Sequence, residues 1–440
     1  MPTFTVHCEC GETFHADERS LGRRVRCRRC QRVVALDPPA PAAAEPPPSD
    51  RGARGERVRT RRRVRVPRRP KADATPAGGA GGGAAGGRIV AVGRRQPRGA
   101  RGLAARAVRW LSWGYLAAVC LVALLMWGLG DVWWPATVLL FMGRWVFLLP
   151  LALLVPAALV LRRASLGPLL LAALVTLGPV MGFRTGWRRW LGEPAGAPVR
   201  VVTFNAEGGA TVAPMLPELL VGWEADVVAF QECSDPLIRA ARAVRGWYEH
   251  DTSGLCLLSR FPIRDTVVMD RSALATIRRS HPAVGGAGYV VRYTLQTPWG
   301  AVDVTNLHLE TPRKGFEALM ATDDATRLRL NTEERDVEST LASRFVRAGD
   351  APRLVLGDFN TPVESRIFRR HWGGLTDAFS RVGTGFGMTK YNGWIRVRID
   401  HVLYDDAWRA TRAVAGPDLG SDHRPLIVDL RLTRRSGPPE

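Results

Sequence analysis

Five places in roughly the last 240 residues set carboxylates, carboxamides and imidazoles at the ends of apolar runs. They are Thr203-Phe204-Asn205-Ala206-Glu207, Phe230-Gln231-Glu232, Asn306-Leu307-His308, Gly357-Asp358-Phe359-Asn360, and Ile399-Asp400-His401 with Ser421-Asp422-His423. A strand lifts its last residue to the rim of a sheet, where several strands can meet over one pocket. Oxygen donors and imidazoles of this kind suit a hard cation, with Mg²⁺ or Mn²⁺ preferred. They are also the parts that metal-assisted phosphoester hydrolysis needs. Singly, each is weak, since Asp-x-Asn is usually a turn and a strand-end His is usually structural. Their occurrence together in one region carries the reading.

The elements that must position them follow from the patterning. Short β-rich runs are expected over 199–205, 227–231, 254–259, 289–296, 301–309, 353–357, 398–404 and 426–432. Helices are expected near 213–223, 236–244 and 322–345, the last a charged amphipathic helix of an outer layer. One α/β or α+β domain over 195–434 accommodates them.

On Gly357-Asp358-Phe359-Asn360, Ser421-Asp422-His423-Arg424-Pro425 and the strand phrase from Gly254 to Arg260, the chain resembles the endonuclease/exonuclease/phosphatase family. That superfamily includes deoxyribonuclease I, exonuclease III, neutral sphingomyelinases and inositol polyphosphate 5-phosphatases. The resemblance spans residues 199 to about 432. It implies a four-layer α/β sandwich, two facing mixed sheets flanked by helices. It also implies roles: Glu232 as the main metal carboxylate with Asn205 beside it, and Asp422 as a second acid near the metal. Glu207 stands at a ligand position where many relatives carry Asp or Asn. Asp358 and Asn360 would orient water and phosphate, and His308 would donate to a phosphate oxygen. Asp400 would orient His423, the general base or transition-state stabiliser.

Other polar residues read as structural. Cys233 is expected as a small buried side chain; a Cys233–Cys256 disulfide would suit a chain outside the cytoplasm, but the spacing gives it no support. His250, His281 and His371 have no motif partner, and His401 should face away from Asp400. Arg313 and Lys314 suit a solvated loop or an anionic substrate equally.

Ahead of this domain lie three apolar stretches, expected to cross a membrane at about 110–130, 140–161 and 164–183. Trp110, Trp113, Trp133, Trp134, Trp145, Trp187 and Trp190 stand near their ends, where indoles favour headgroups. The second stretch fits if it begins near Trp145, or earlier with Arg144 snorkelling to the interface. The net charge of +21 is concentrated: residues 51–110 hold 18 basic and 2 acidic side chains, whereas 199–440 hold 31 and 30. This excludes a uniformly basic, nucleic-acid-coating protein. A basic N-terminal flank predicts a cytoplasmic N-terminus, and three crossings then put the domain outside, in a multi-pass cell-membrane protein. The Pro-, Gly- and Arg-rich segment 37–109 reads as a disordered linker able to touch anionic lipid.

Residues 1–36 resemble a short zinc ribbon, with Cys8, Cys10, Cys27 and Cys30 as structural Zn²⁺ ligands. Four of the 7 cysteines fall there, which excludes a disulfide-dense secreted fold. Three helices followed by this domain resemble the teicoplanin-resistance branch of the family. The expectation is a membrane-anchored, metal-dependent phosphoesterase cleaving a phosphodiester or phosphoanhydride of a lipid-linked or envelope substrate. The alternatives are a Mg²⁺-dependent endonuclease or exonuclease on DNA or RNA, and an inactive membrane scaffold. The sequence sets no oligomeric state.

Overall fold

The computed structural model describes residues 3–7, 13–17, 24–26, 33–35, 99–192, 194–274, 289–322 and 324–433. Two compact units result, Met1–Val90 and Ala91–Glu440. In the first, Thr3–His7 pairs antiparallel with Thr13–Asp17, and Arg24–Arg26 with Val33–Ala35. Cys8, Cys10, Cys27 and Cys30, His281 and the linker as far as residue 98 lie outside the described residues.

The second unit opens with three helices long and apolar enough to cross a membrane, Ala100–Leu129, Arg144–Leu161 and Arg163–Val180. Leu153, Val160 and Leu170 on their outer faces are exposed, a large apolar surface of the kind that water disfavours. Tyr115 ties them together, its hydroxyl donating to the Phe147 carbonyl at 2.6 Å. The first span begins ten residues ahead of its expected start, because Ala104, Ala105 and Val108 extend the helix from Ala100. A short helix, Trp134–Phe141, fills the turn to the second span. Arg144 is not turned out to an interface: it is buried and pairs with Glu364 at 3.1 Å.

Two six-stranded sheets form the body of the domain. In chain order the strands are β1 (Ala197–Gly208), β2 (Val227–Cys233), β3 (Tyr248–Thr252), β4 (Leu255–Ser259), β5 (Ile263–Val268) and β6 (Tyr289–Thr297). They continue as β7 (Gly300–His308), β8 (Arg353–Asp358), β9 (Thr376–Asp377), β10 (Asp400–Tyr404), β11 (Trp408–Ala415) and β12 (Leu426–Leu432). One sheet runs β11-β12-β1-β2-β4-β3, the other β5-β6-β7-β8-β10-β9. Only β1–β2 and β7–β8 are parallel, so both sheets are mixed.

The sheets face each other across a core that includes Val201, Ala229, Leu257, Tyr293, Val304, Leu356, Val402 and Val428. β1 is buried on both faces from Val201 to Ala206, so its apolar residues do not alternate with exposed ones there. Outside the first sheet, Leu216, Leu220 and Leu237 cover Phe204 and Phe230. Outside the second, the helices Thr326–Arg347 and Arg366–Trp372 cover Val355 and Leu403. Thr326–Arg347 buries Leu328, Asn331, Arg335, Glu338, Ala342 and Val346, a stripe spaced by three and four residues. Helix, sheet, sheet and helix stack as an α/β sandwich with mixed sheets.

Candidate active site

Strand register lays out the polar residues before any side chain is considered. In the second sheet, His308 is the register partner of Asp358, and Asp358 of Asp400, so three functional side chains form a row across β7, β8 and β10. In the first sheet, Asn205 stands opposite Gln231, and the register then shifts before Gly208. Glu207, Glu232 and Asn360 all take left-handed backbone, at φ 47°, 51° and 49°. Non-glycine residues seldom adopt it, and at these strand ends it turns Glu207 and Glu232 out to solvent.

The two sheets are locked together beneath this rim. Gln231 donates to the Asn306 Oδ1 at 2.7 Å, and Asn306 donates to the carbonyls of Phe230 and Cys256 at 3.0 and 3.1 Å. Asn306 therefore holds backbone rather than facing the cleft. Gly357 is required just before Asp358: at φ 147° its missing Cβ leaves room for the Leu307 backbone.

Above the clamp, the side chains converge. Asn205 Nδ2 donates to Glu232 Oε1 at 3.0 Å and to Asp358 Oδ2 at 3.1 Å. His308 Nε2 lies 3.8 Å from both carboxylates. His423 Nδ1 is 2.8 Å from Asp400 Oδ2, and its Nε2 is 3.6 Å from Asp358 Oδ2. Asp358 Oδ1 accepts from the Asn360 backbone N–H at 2.8 Å, while Asn360 Nδ2 donates to the Leu309 carbonyl at 2.9 Å. At the edge, Glu207 Oε2 accepts from the Asp422 N–H at 3.1 Å, and Asp422 itself is ion-paired with Lys390.

Burial sets the protonation of the inner groups. Burial and the Asp400 charge push the Asp358 carboxyl up, against the opposing pull of His423 and His308. Burial works the same way on Asp400, but His423 beside it holds that carboxyl below its usual range. Burial disfavours charged His423; Asp400 and Asp358 outweigh it and raise its pKa.

One ligand atom each from Asp358, Asp400 and His423 lie within 4.8 Å of one another. Glu232 Oε1 and Asp358 Oδ2 both meet Asn205 Nδ2, so hard oxygen donors gather at one point. The site fits a divalent cation.

Of the non-cysteine residues expected from the sequence, Asn205, Glu232, His308, Asp358, Asp400 and His423 converge, Glu207 and Asp422 meet at the edge, and Asn360 spends its carboxamide on the Leu309 carbonyl. Sequence reasoning missed Lys390 and Thr389, whose hydroxyl accepts from the Asp400 N–H at 3.1 Å. They sit where Lys390–Asn392 begins a hairpin with Ile395–Val397, strands of three residues that give almost no periodic signal. Lys390 bridges to His423 through its backbone. Cys233 is buried as expected, but it also forms the disulfide that spacing did not support, with Cys256 across adjacent strands β2 and β4 and Cα atoms 5.9 Å apart. Spacing gave no hint because the pair closes through the β2–β3–β4 excursion. His401 does face away, 3.0 Å from the Thr361 carbonyl and 3.2 Å from Asp377. His371 is held by Asp336 at 2.8 Å, and Lys314 lies 3.8 Å from Glu310.

The profile of the Endonuclease/Exonuclease/phosphatase family matches residues 202–423, half of the chain. No curated protein matches. Among solved structures, an endonuclease/exonuclease/phosphatase from Beutenbergia cavernae is 18% identical, covering 53% of this chain and 72% of its own, with a TM-score of 0.39. A Bacteroides thetaiotaomicron family protein is 16% identical, covering 54% and 98%, with a TM-score of 0.40. A 3'-5' exonuclease from Neisseria meningitidis is 17% identical, covering 52% and 98%, with a TM-score of 0.39. Carried by the profile match and by the acids and imidazoles gathered at the strand tips, the conclusion is that this chain belongs to the endonuclease/exonuclease/phosphatase family and is a metal-dependent phosphoric ester hydrolase.

Proposed function

We propose that the chain hydrolyses phosphodiesters at a membrane surface. The observation that carries this is the convergence of Asn205, Glu232, His308, Asp358, Asp400 and His423 on one cleft from both sheets. Glu232 with Asn205 would hold Mg²⁺ or Mn²⁺, with Asp358 below them and Glu207 and Asp422 at the rim. A bound cation would supply positive charge for the phosphoryl oxygens. Asp400 fixes His423 through Nδ1 and leaves Nε2 facing the cleft, to take a proton from water or to stabilise the crowded phosphorus. His308 is placed to donate to a non-bridging oxygen, and Asn360 holds Asp358 in position.

Nucleic acid is the first substrate class, since two of the three activities in the description of the family are nuclease activities. A lipid-linked phosphoester is the second reading, favoured by a specific feature. A cavity of about 730 Å³, lined by Trp145, Met181, Phe386, Met388, Trp394 and Arg396 among others, lies between the span ends and the Lys390 hairpin. An amphiphile could seat its chain there.

The organisation into 1–36, 37–109, 110–183 and 195–434 stands as part of this proposal, with Zn²⁺ on Cys8, Cys10, Cys27 and Cys30 and anionic lipid at the linker. The three apolar helices support membrane insertion. The Cys233–Cys256 disulfide supports an oxidising compartment for the catalytic domain.

The test is the full chain in detergent with Mg²⁺, offered plasmid DNA, RNA, sphingomyelin, a polyprenyl pyrophosphate and inositol phosphates. Cleavage of DNA or RNA is expected, abolished by EDTA and by Asp358→Ala. Cleavage of lipid alone would transfer the assignment to the second reading, and no turnover of any substrate would overturn it.

A further inference from the structure

The loop that carries Asp358 and Asn360 runs buried from Asp358 to Ser365, and its far end meets the membrane-proximal segment. Asp131, just after the first apolar helix, is held at φ 65° with its carboxylate buried in the domain. Asp131 Oδ2 accepts from the Ser365 hydroxyl and, at 3.4 Å, from the Ile367 N–H. Asp131 Oδ1 lies 3.7 Å from Arg335 Nη1, and both side chains are almost wholly buried. The other end of that guanidinium, Arg335 Nη2, donates to the Asn360 carbonyl at 3.0 Å and to the Thr361 hydroxyl at 2.8 Å. An ionic chain thus runs from the membrane segment to the backbone of an active-site residue.

Two further contacts hold the same loop. Arg144 pairs with Glu364, and Arg369 donates to both the Glu364 carbonyl and the Trp127 carbonyl. The loop is therefore gripped at Asn360, Thr361, Glu364 and Ser365 by Arg335 and by residues of the apolar-helix module. Glu310 and Glu338 add to the field on Arg335, but Asp131 is its salt-bridge partner.

We infer that Asp131 is a positioning residue: through Arg335 and Ser365 it fixes the loop bearing Asp358 and Asn360, so the membrane module completes the active site rather than merely tethering it. Removing its charge leaves Arg335 buried without that partner, free to give up the Asn360 carbonyl. A misplacement of tenths of an ångström at Asp358 is felt in turnover, because productive geometry is narrow. The inference rests on the hydrolase reading for its kinetic test and on the fold alone for its exchange test.

Both tests use the full chain in detergent. With bis(p-nitrophenyl) phosphate and Mg²⁺ as probe, Asp131→Ala should lower kcat about tenfold with KM changed by less than about threefold. Asp131→Asn keeps an acceptor for Ser365 and tolerates the left-handed backbone, so it should recover part of the loss. Amide hydrogen exchange across 358–367 should accelerate about tenfold in Asp131→Ala, while β1 exchanges as in the wild type. Should the alanine variant not fold, Asp131→Asn is read by the same two measurements, with smaller changes in the same direction expected. Unchanged exchange across 358–367 together with kcat within about twofold of wild type overturns the inference. A wild-type chain inert to the probe would count against the hydrolase reading, and the exchange result would still decide the role of Asp131.

Discussion

Asp400 and His423 divide one task between them. The carboxylate fixes the ring through Nδ1 and favours its protonated form, while Nε2 is left toward Asp358. In the proposed mechanism the two act as one unit. Asp400→Asn is expected to lower kcat by about 10²- to 10⁴-fold, and His423→Ala by a similar factor. The double variant should be no worse than the poorer single one, because groups that act as a unit do not add. Steady-state turnover of a phosphodiester measures all three, and additive losses would separate the two roles. Asp400 was legible in the β-rich run 398–404, and His423 through the phrase Ser421-Asp422-His423-Arg424-Pro425. Asp131 was not: in the sequence it is a lone acid closing an apolar stretch, and its partner Ser365 lies 234 residues away.

At the scale of elements, the register explains what the sequence made visible. β7, β8 and β10 carry their functional residues at terminal or first positions, where an apolar run meets a polar residue. The eight expected strands all appear, with ends moved by a few residues. β3, β5, β9 and β11 went unrecognised because they are edge strands, β9 only two residues long and the others with polar or only partly buried patterns. The expected helix at 322–345 begins later, at Thr326, with a separate helix, Arg313–Thr322, before it. The Cys233–Cys256 bond staples β2 to β4 one residue after Glu232. With its ends 23 positions apart, reduction should cost about 3 kcal/mol of stability on the loop-entropy account. Thermal unfolding with and without dithiothreitol checks this, and the Cys233→Ala/Cys256→Ala chain should melt at the reduced temperature in both.

For the whole molecule, the contacts constrain how the chain is threaded. Asp131, Arg144 and Trp145 all touch the catalytic domain, through Ser365, Glu364 and Trp394. The end of the first apolar helix and the start of the second therefore lie against the domain, an arrangement compatible with the proposed three crossings. The proposed orientation puts that side outside the cytoplasm. A reporter enzyme that folds only outside the cytoplasm, fused after Glu440, should be active in cells. An inactive fusion with normal expression would reverse the orientation and leave the disulfide without its oxidising surroundings.

The pairing of Arg144 with Glu364 also dictates an order of assembly. The arginine leaves the ribosome 220 residues before its carboxylate, and Asp131 precedes Ser365 by 234. At typical synthesis rates the hairpin must wait roughly 10–50 s with its ions unmatched. During that interval Asp131 and Arg144 lack the Ser365 and Glu364 side chains that hold them in the folded chain. A chain truncated before Glu364 would keep both residues without these partners.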